Sequence, residues 1–120
     1  MGLTYVTVRL SPLNRGKKVV EENFLVDTGA IDCMVDGAKL AKIGLKAEGT
    51  DVYELADGTT TELPYGFARV TFMGSETVSK VIFGKRGTES LLGVVALEST
   101  GIGVDPVTRT LKRMSAKPLK

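Results

Sequence analysis

The chain has 120 residues, the size of one compact domain. Its 42% hydrophobic and 25% charged residues match ordinary globular proteins and argue against disorder. Net charge is only +2, too small to point to nucleic acid, and the absence of histidine removes Ser-His-Asp and Cys-His catalysis and the commonest zinc ligand.

In chain order, Val6, Val8 and Leu10 alternate with Thr7 and Arg9, the pattern of a half-buried strand. Pro12 to Gly16 is a breaker-rich loop. Val19, Val20 and Asn23 to Val26 make a second strand, the natural hairpin partner of the first. Its apolar end, Phe24-Leu25-Val26, predicts burial on both faces. Cys33-Met34-Val35 reads as a short strand. Asp36 then reads as the N-cap of a helix over 37–43, with Gly44 just past its end. Val52 to Leu55, Asp57-Gly58 and Thr59 to Leu63 form a hairpin pattern, because Asp-Gly accepts the positive φ angles of tight turns.

Tyr65 to Phe72 continues as a strand, Gly74 turns the chain, and Val78 to Phe83 is a further strand. Leu91-Leu92-Gly93 leads into a short helix from Val94 to Glu98, closed near Gly101. Ile102 to Val104, Asp105-Pro106 and Thr108 to Leu111 predict a last hairpin. Short, regularly spaced strands with one or two small helices predict an all-β, closed or partly open barrel. The expected organisation is a single domain over 1–112 and a basic C-terminal tail over 113–120, containing Arg113, Lys117 and Lys120.

Asp27 is the informative residue. It ends an apolar strand and is followed by Thr28 and Gly29. Taking a lone carboxylate out of water costs several kcal/mol, so such an acid needs a partner. Acid–base hydrolysis by two carboxylates sharing one proton supplies a chemical reason for it. Only one Asp-Thr-Gly occurs here, so the second carboxylate would come from a second copy of the chain. The competing reading is an Asp at a strand-to-turn junction that bonds its own backbone.

The order of features resembles that of the retropepsin-like, retroviral-type single-domain aspartic proteases, above all their small stand-alone prokaryotic members. Phe24-Leu25-Val26-Asp27-Thr28-Gly29-Ala30 is similar to the family's apolar strand followed by Asp-Thr-Gly-Ala/Ser. The hairpin from Val52 to Phe67 falls where the family has its flap. Leu91-Leu92-Gly93 is similar to its second apolar-apolar-Gly element, and Ile102-Gly103-Val104-Asp105-Pro106 to its closing segment. The resemblance covers about residues 4–112.

It implies a barrel of the acid-protease type and an aspartic endopeptidase active as a homodimer. Asp27 is the expected catalytic acid/base, supported by Thr28, Gly29 and Ala30. Ala56, Asp57, Gly58 and Thr59 are the expected flap tip, and Leu91, Leu92 and Gly93 the expected support behind the catalytic loop. Peptide or protein is the expected substrate, with no metal and no cofactor.

Three features depart from the retroviral pattern. Ile31 and Val94 stand where retroviral members have an ion-paired Asp and Arg, which predicts an apolar contact instead. The flap tip has one glycine. Little sequence precedes the first strand, so the hairpin at 102–112 is the expected dimer contact.

The rival reading from another class is a non-catalytic homodimeric peptide- or protein-binding β-domain, and a third is a domain acting only within a larger assembly. Asp32 reads as a pocket residue or a turn acid, Tyr53 and Tyr65 as substrate contacts or strand packing, and the single Cys33 as a buried inert thiol. No disulfide can form within the chain. No signal peptide pattern opens it, and no apolar run reaches the roughly 20 residues that span a bilayer. A cytoplasmic protein without membrane or nucleic-acid partners is the expectation.

Overall fold

Alternating strands joined by short turns leave each strand with one apolar face, and these faces bury one another only if the sheet curls. The computed structural model describes residues 3–117 and 119. Its elements are β1 (Tyr5–Ser11), β2 (Val20–Val26), β3 (Cys33–Asp36), α1 (Gly37–Lys42), β4 (Gly49–Glu54), β5 (Thr60–Phe72), β6 (Ser75–Gly84), β7 (Leu91–Leu92), α2 (Val94–Thr100), β8 (Ile102–Val104) and β9 (Leu111–Arg113). Seven strands pair in the order β1-β2-β7-β3-β6-β5-β4, and β1 also pairs with β5. Six strands therefore close into a barrel, with β4 added to β5 alone. The mostly-β expectation with two short helices holds. Among the described residues no helix is long and apolar enough to cross a membrane.

The core follows the strand period. Val8 and Leu10 of β1, Ala68, Val70 and Phe72 of β5, and Phe24, Val35, Val81 and Leu92 are buried, joined by Leu40 of α1 and Ala96 and Leu97 of α2. A fully buried Phe such as Phe24 contributes about 1.5–3 kcal/mol through its apolar area. The Asp36 N-cap holds as predicted: its Oδ1 accepts the Ala38 N–H at 2.8 Å. Its Oδ2 also accepts the Gly87 N–H at 2.9 Å, which fastens α1 to the loop after β6.

Several boundaries differ from the sequence expectation. Of Phe24-Leu25-Val26 only Phe24 is fully buried: Leu25 lies on the outer face of the barrel wall, and Val26, on the inner face at the end of β2, is partly buried against the core. Phe67 stays 40% exposed, since it has the opposite parity to Ala68, Val70 and Phe72. β6 begins at Ser75 rather than Val78. The last hairpin forms, but its second strand is Leu111–Arg113. Residues 105–110 are taken up by a wide turn in which Asp105 Oδ1 accepts the Val107 and Thr108 N–H groups at 2.8 and 3.2 Å. Those two bonds hold the Asp105 carboxyl below the usual carboxylate range. Arg113, assigned to the tail, thus belongs to β9, and Lys117 donates to the Ser99 carbonyl at 3.0 Å. Lys120 lies outside the described residues.

The expected strands Thr59 to Leu63 and Tyr65 to Phe72 are one strand, which runs through Pro64 from Thr60 to Phe72. Proline has no N–H, so it is tolerated where one edge of a strand is unpaired. That is its position here. β6 pairs with β5 only from Tyr65 onward, and before it β5 has β4 alone as neighbour. Pro64 marks the point where the β4–β5 hairpin leaves the barrel wall and projects as a two-stranded arm.

Candidate active site

The Asp-Thr-Gly turn is positioned by β7. This two-residue strand lies between β2, to which it is parallel, and β3, to which it is antiparallel. The chain therefore leaves the barrel on β2 and re-enters on β3 two strand spacings away, about 10 Å, and residues 27–32 span that gap. Backbone bonds fix both ends: the Asp27 N–H donates to the Leu92 carbonyl at 3.0 Å, and the Val94 and Val95 N–H groups donate to Ala30 and Ile31 at 2.8 and 3.2 Å. Gly93 backs directly onto this loop. A Cβ placed there would lie 2.5 Å from the Asp32 carbonyl oxygen.

Asp27 is half-buried, so solvent relieves part of the desolvation cost that a lone buried carboxylate would carry. Its Oδ1 accepts the Gly29 N–H at 3.0 Å, the local turn bond weighed as the competing explanation for this residue. Among the described residues Oδ2 accepts no hydrogen bond. Thr28 is exposed.

A cleft of about 1100 Å³ separates this loop from the projecting hairpin. Asp27, Gly29 and Ala30 line one side of it, with Leu91 of the second motif. Leu92 instead sits in the core and Gly93 against the 31–32 backbone. Across the cleft, Asp51 and Tyr53 of β4 and Thr61 and Leu63 of β5 face inward. Of the expected flap tip only Ala56 reaches the cleft. Asp57, Gly58 and Thr59 lie farther out on the hairpin end.

That end is wider than a two-residue turn. Leu55 N–H donates to the Thr59 carbonyl at 2.7 Å, Gly58 N–H to the Leu55 carbonyl at 2.9 Å, and only Gly58 has a positive φ, +87°. This is a type I turn closed by a left-handed glycine. The Thr59 hydroxyl and N–H both bond Asp57 Oδ1 and hold that carboxyl below its usual range.

A second polar group stands at the side of the cleft. Lys80 of β6, which the sequence reading passed over, forms an ion pair with Asp51 of the hairpin. Its ammonium also lies 4.1 Å from the centroid of the Tyr65 ring. The bond to Asp51 holds the lysine above its ordinary range. Tyr53 reaches Asp32 with its hydroxyl at 3.5 Å, the outer limit of a hydrogen bond, and burial pushes its phenol up. So Asp32 and Tyr53 both line the cleft, whereas Tyr65 packs edge-on against Phe67 with centroids 5.8 Å apart. The signal for Lys80 was a cation in the middle of an apolar strand, which requires a carboxylate neighbour.

Ile31 remains 68% exposed, so little of the expected apolar contact with Val94 forms within one chain. Cys33 is buried, 4.0 Å from the Ser79 hydroxyl, and burial raises its thiol pKa, as an inert core thiol requires. Among the described residues no group of His, Cys, Asp or Glu could hold a metal ion.

Compared with models of protein families and with curated protein sequences, the chain matches none. What the site does rests on its own geometry.

Proposed function

We propose that the chain is a retropepsin-like aspartic endopeptidase that works as a homodimer, on an acid-protease type of barrel. The observation that supports this most is the setting of Asp27. One carboxylate oxygen is tied to Gly29 and the other accepts no hydrogen bond among the described residues, on a loop braced by β7, beside a cleft of about 1100 Å³. Exposed Thr28 and Ile31 flank the carboxylate on the same loop, where a second copy would meet them.

With Asp27 of two protomers brought together on a two-fold axis, the pair would share one proton. The ionised member takes a proton from the bound water as its oxygen attacks the peptide carbonyl. The protonated member donates to the developing oxyanion. The tetrahedral adduct then collapses, and the proton taken from water goes to the leaving amine. The β4–β5 hairpin holds the peptide by strand-like main-chain bonds.

The Asp27–Gly29 bond also favours a second reading, in which Asp27 only shapes the turn of a non-catalytic peptide-binding dimer. One experiment separates the two. Sedimentation establishes the dimer, and the wild type and Asp27→Asn are assayed on a peptide library from pH 3 to 7. The expected result is cleavage by the wild type and a loss of at least about 100-fold in the variant. Equal activity in both proteins, or none from a confirmed dimer at any pH, sinks the protease reading. A strict monomer at high concentration does so as well.

A further inference from the structure

The cleft lining carries four carboxylates, Asp27, Asp32, Asp51 and Glu54, against one ammonium, Lys80. The whole chain has a net charge of +2. The cleft is therefore the acidic part of a basic protein, and a concave wall of one sign concentrates oppositely charged ligands.

The four carboxylates are not equivalent. Asp51 is neutralised by Lys80, whose charge also rests on the Tyr65 ring. Glu54 lies on the exposed face of β4. Asp27 is committed to the reacting centre. Asp32 is half-buried in the wall and, among the described residues, has no cation within ion-pair distance. Its one side-chain partner is the Tyr53 hydroxyl at 3.5 Å.

We propose that Asp32 and Tyr53 form a subsite for a lysine or arginine side chain of the bound peptide. This rests on reading the cleft as a peptide site. The carboxylate offers charge-assisted acceptors, and the tyrosine offers a ring face for a cation and a hydroxyl that completes the wall. Lys80 acts on Asp32 and Tyr53 only through its longer-range field, its direct bond being to Asp51, so an acidic side chain would meet the Asp32 carboxylate without a cation bonded to it.

The fold also sets the distance. Asp27 and Asp32 sit at opposite ends of a loop that spans about two strand spacings, and an extended peptide advances about 3.3 Å per residue. The basic residue belongs roughly two to three positions from the bond beside Asp27. In a symmetric dimer each protomer supplies one subsite, so the preference applies on both sides of that bond.

A synthetic random decapeptide library tests this in two ways. Wild-type protein is given the library and the cleaved bonds are read by mass spectrometry. In parallel, the library is passed over immobilised Asp27→Asn protein, where retention needs no turnover. Lysine and arginine are expected to be enriched about tenfold, two or three residues from cleaved bonds and in the retained peptides. Adding Asp32→Asn should bring that enrichment close to one in both assays, and Asp32→Lys should shift it to aspartate and glutamate. Circular dichroism and sedimentation verify that the variants remain folded.

Cleavage without basic enrichment, or enrichment that survives both Asp32 variants, overturns the subsite and leaves the protease reading standing. Asp32-dependent retention of basic peptides without cleavage supports the subsite and overturns the protease reading. Neither cleavage nor retention overturns both.

Discussion

Gly93→Ala is a sharp probe of how the candidate catalytic loop is held. A Cβ at residue 93 would lie 2.5 Å from the Asp32 carbonyl oxygen, 2.6 Å from its carbonyl carbon and 2.6 Å from the Ile31 carbonyl oxygen. Ordinary contact distances are about 3.5–4.0 Å, so the methyl overlaps all three atoms by roughly 1 Å. None of them belongs to a side chain that could rotate away, and Ile31 is held by the Val95 N–H bond. Overpacking a tight site costs typically 1–3 kcal/mol. With only backbone to move, about 3 kcal/mol is expected. Unfolding entropy of about 2.1 cal/mol/K per residue converts that to a fall in Tm of roughly 12 °C for a chain of this length.

The control is Gly103→Ala in β8, where an added Cβ meets nothing within 4 Å. It should change Tm by no more than a few degrees, upward if it trims unfolded-state entropy. Differential scanning calorimetry reads both variants, and the cleavage assay reads the first. Because the overlap falls on residues 31 and 32, Gly93→Ala should lower cleavage by more than its loss of folded protein accounts for. A Tm for Gly93→Ala within 2 °C of wild type would refute the claim that Gly93 and the 31–32 segment are packed backbone to backbone.

Two further outcomes follow from the site's surroundings. The Gly87 and Ala38 N–H groups hold the Asp36 carboxyl below its usual range, so its contribution is complete above the unfolded value near 3.9 and is lost as pH falls through the lower folded one. Asp36→Asn turns an amide N–H toward Gly87, so the wild type should melt higher than the variant at pH 7 and the gap should close below about pH 4. A gap that does not change between pH 7 and pH 3 would contradict this. Cys33, buried with a raised thiol pKa, should react with a thiol reagent such as DTNB only slowly until denaturant is added. Rapid labelling of the native protein would show that the core around β3 opens.

Much of this chain is legible from neighbouring residues. The β1–β2 hairpin, the Asp36 cap, the Gly58 turn and the α2 start after Gly93 all depend on positions a few residues apart, where alternation and turn chemistry act directly. The candidate acid at Asp27 and its bracing by Leu91–Gly93 were also readable, through the order of motifs along the chain.

Other features had no local signal. The unbroken course of β5 through Pro64 becomes reasonable only once that residue's free edge is seen. The wide turn at 105–110 moved β9 downstream of its expected place because Asp105 satisfies several backbone donors and acceptors there. Lys80 and Asp51 are 29 residues apart, and Tyr53 and Asp32 are 21 apart.

The sequence by itself determined a small β-rich domain, its turns and caps, and one carboxylate at the end of an apolar strand. The tertiary structure decided that β7 enters between β2 and β3, that β1 closes onto β5, and that the β4–β5 arm stands over Asp27. It also decided which cleft charges are spent and which are left. The reason is physical: a strand's period and a turn's φ angles are properties of adjacent residues, whereas the partner of a strand edge or of a half-buried charge is chosen only when the whole barrel closes.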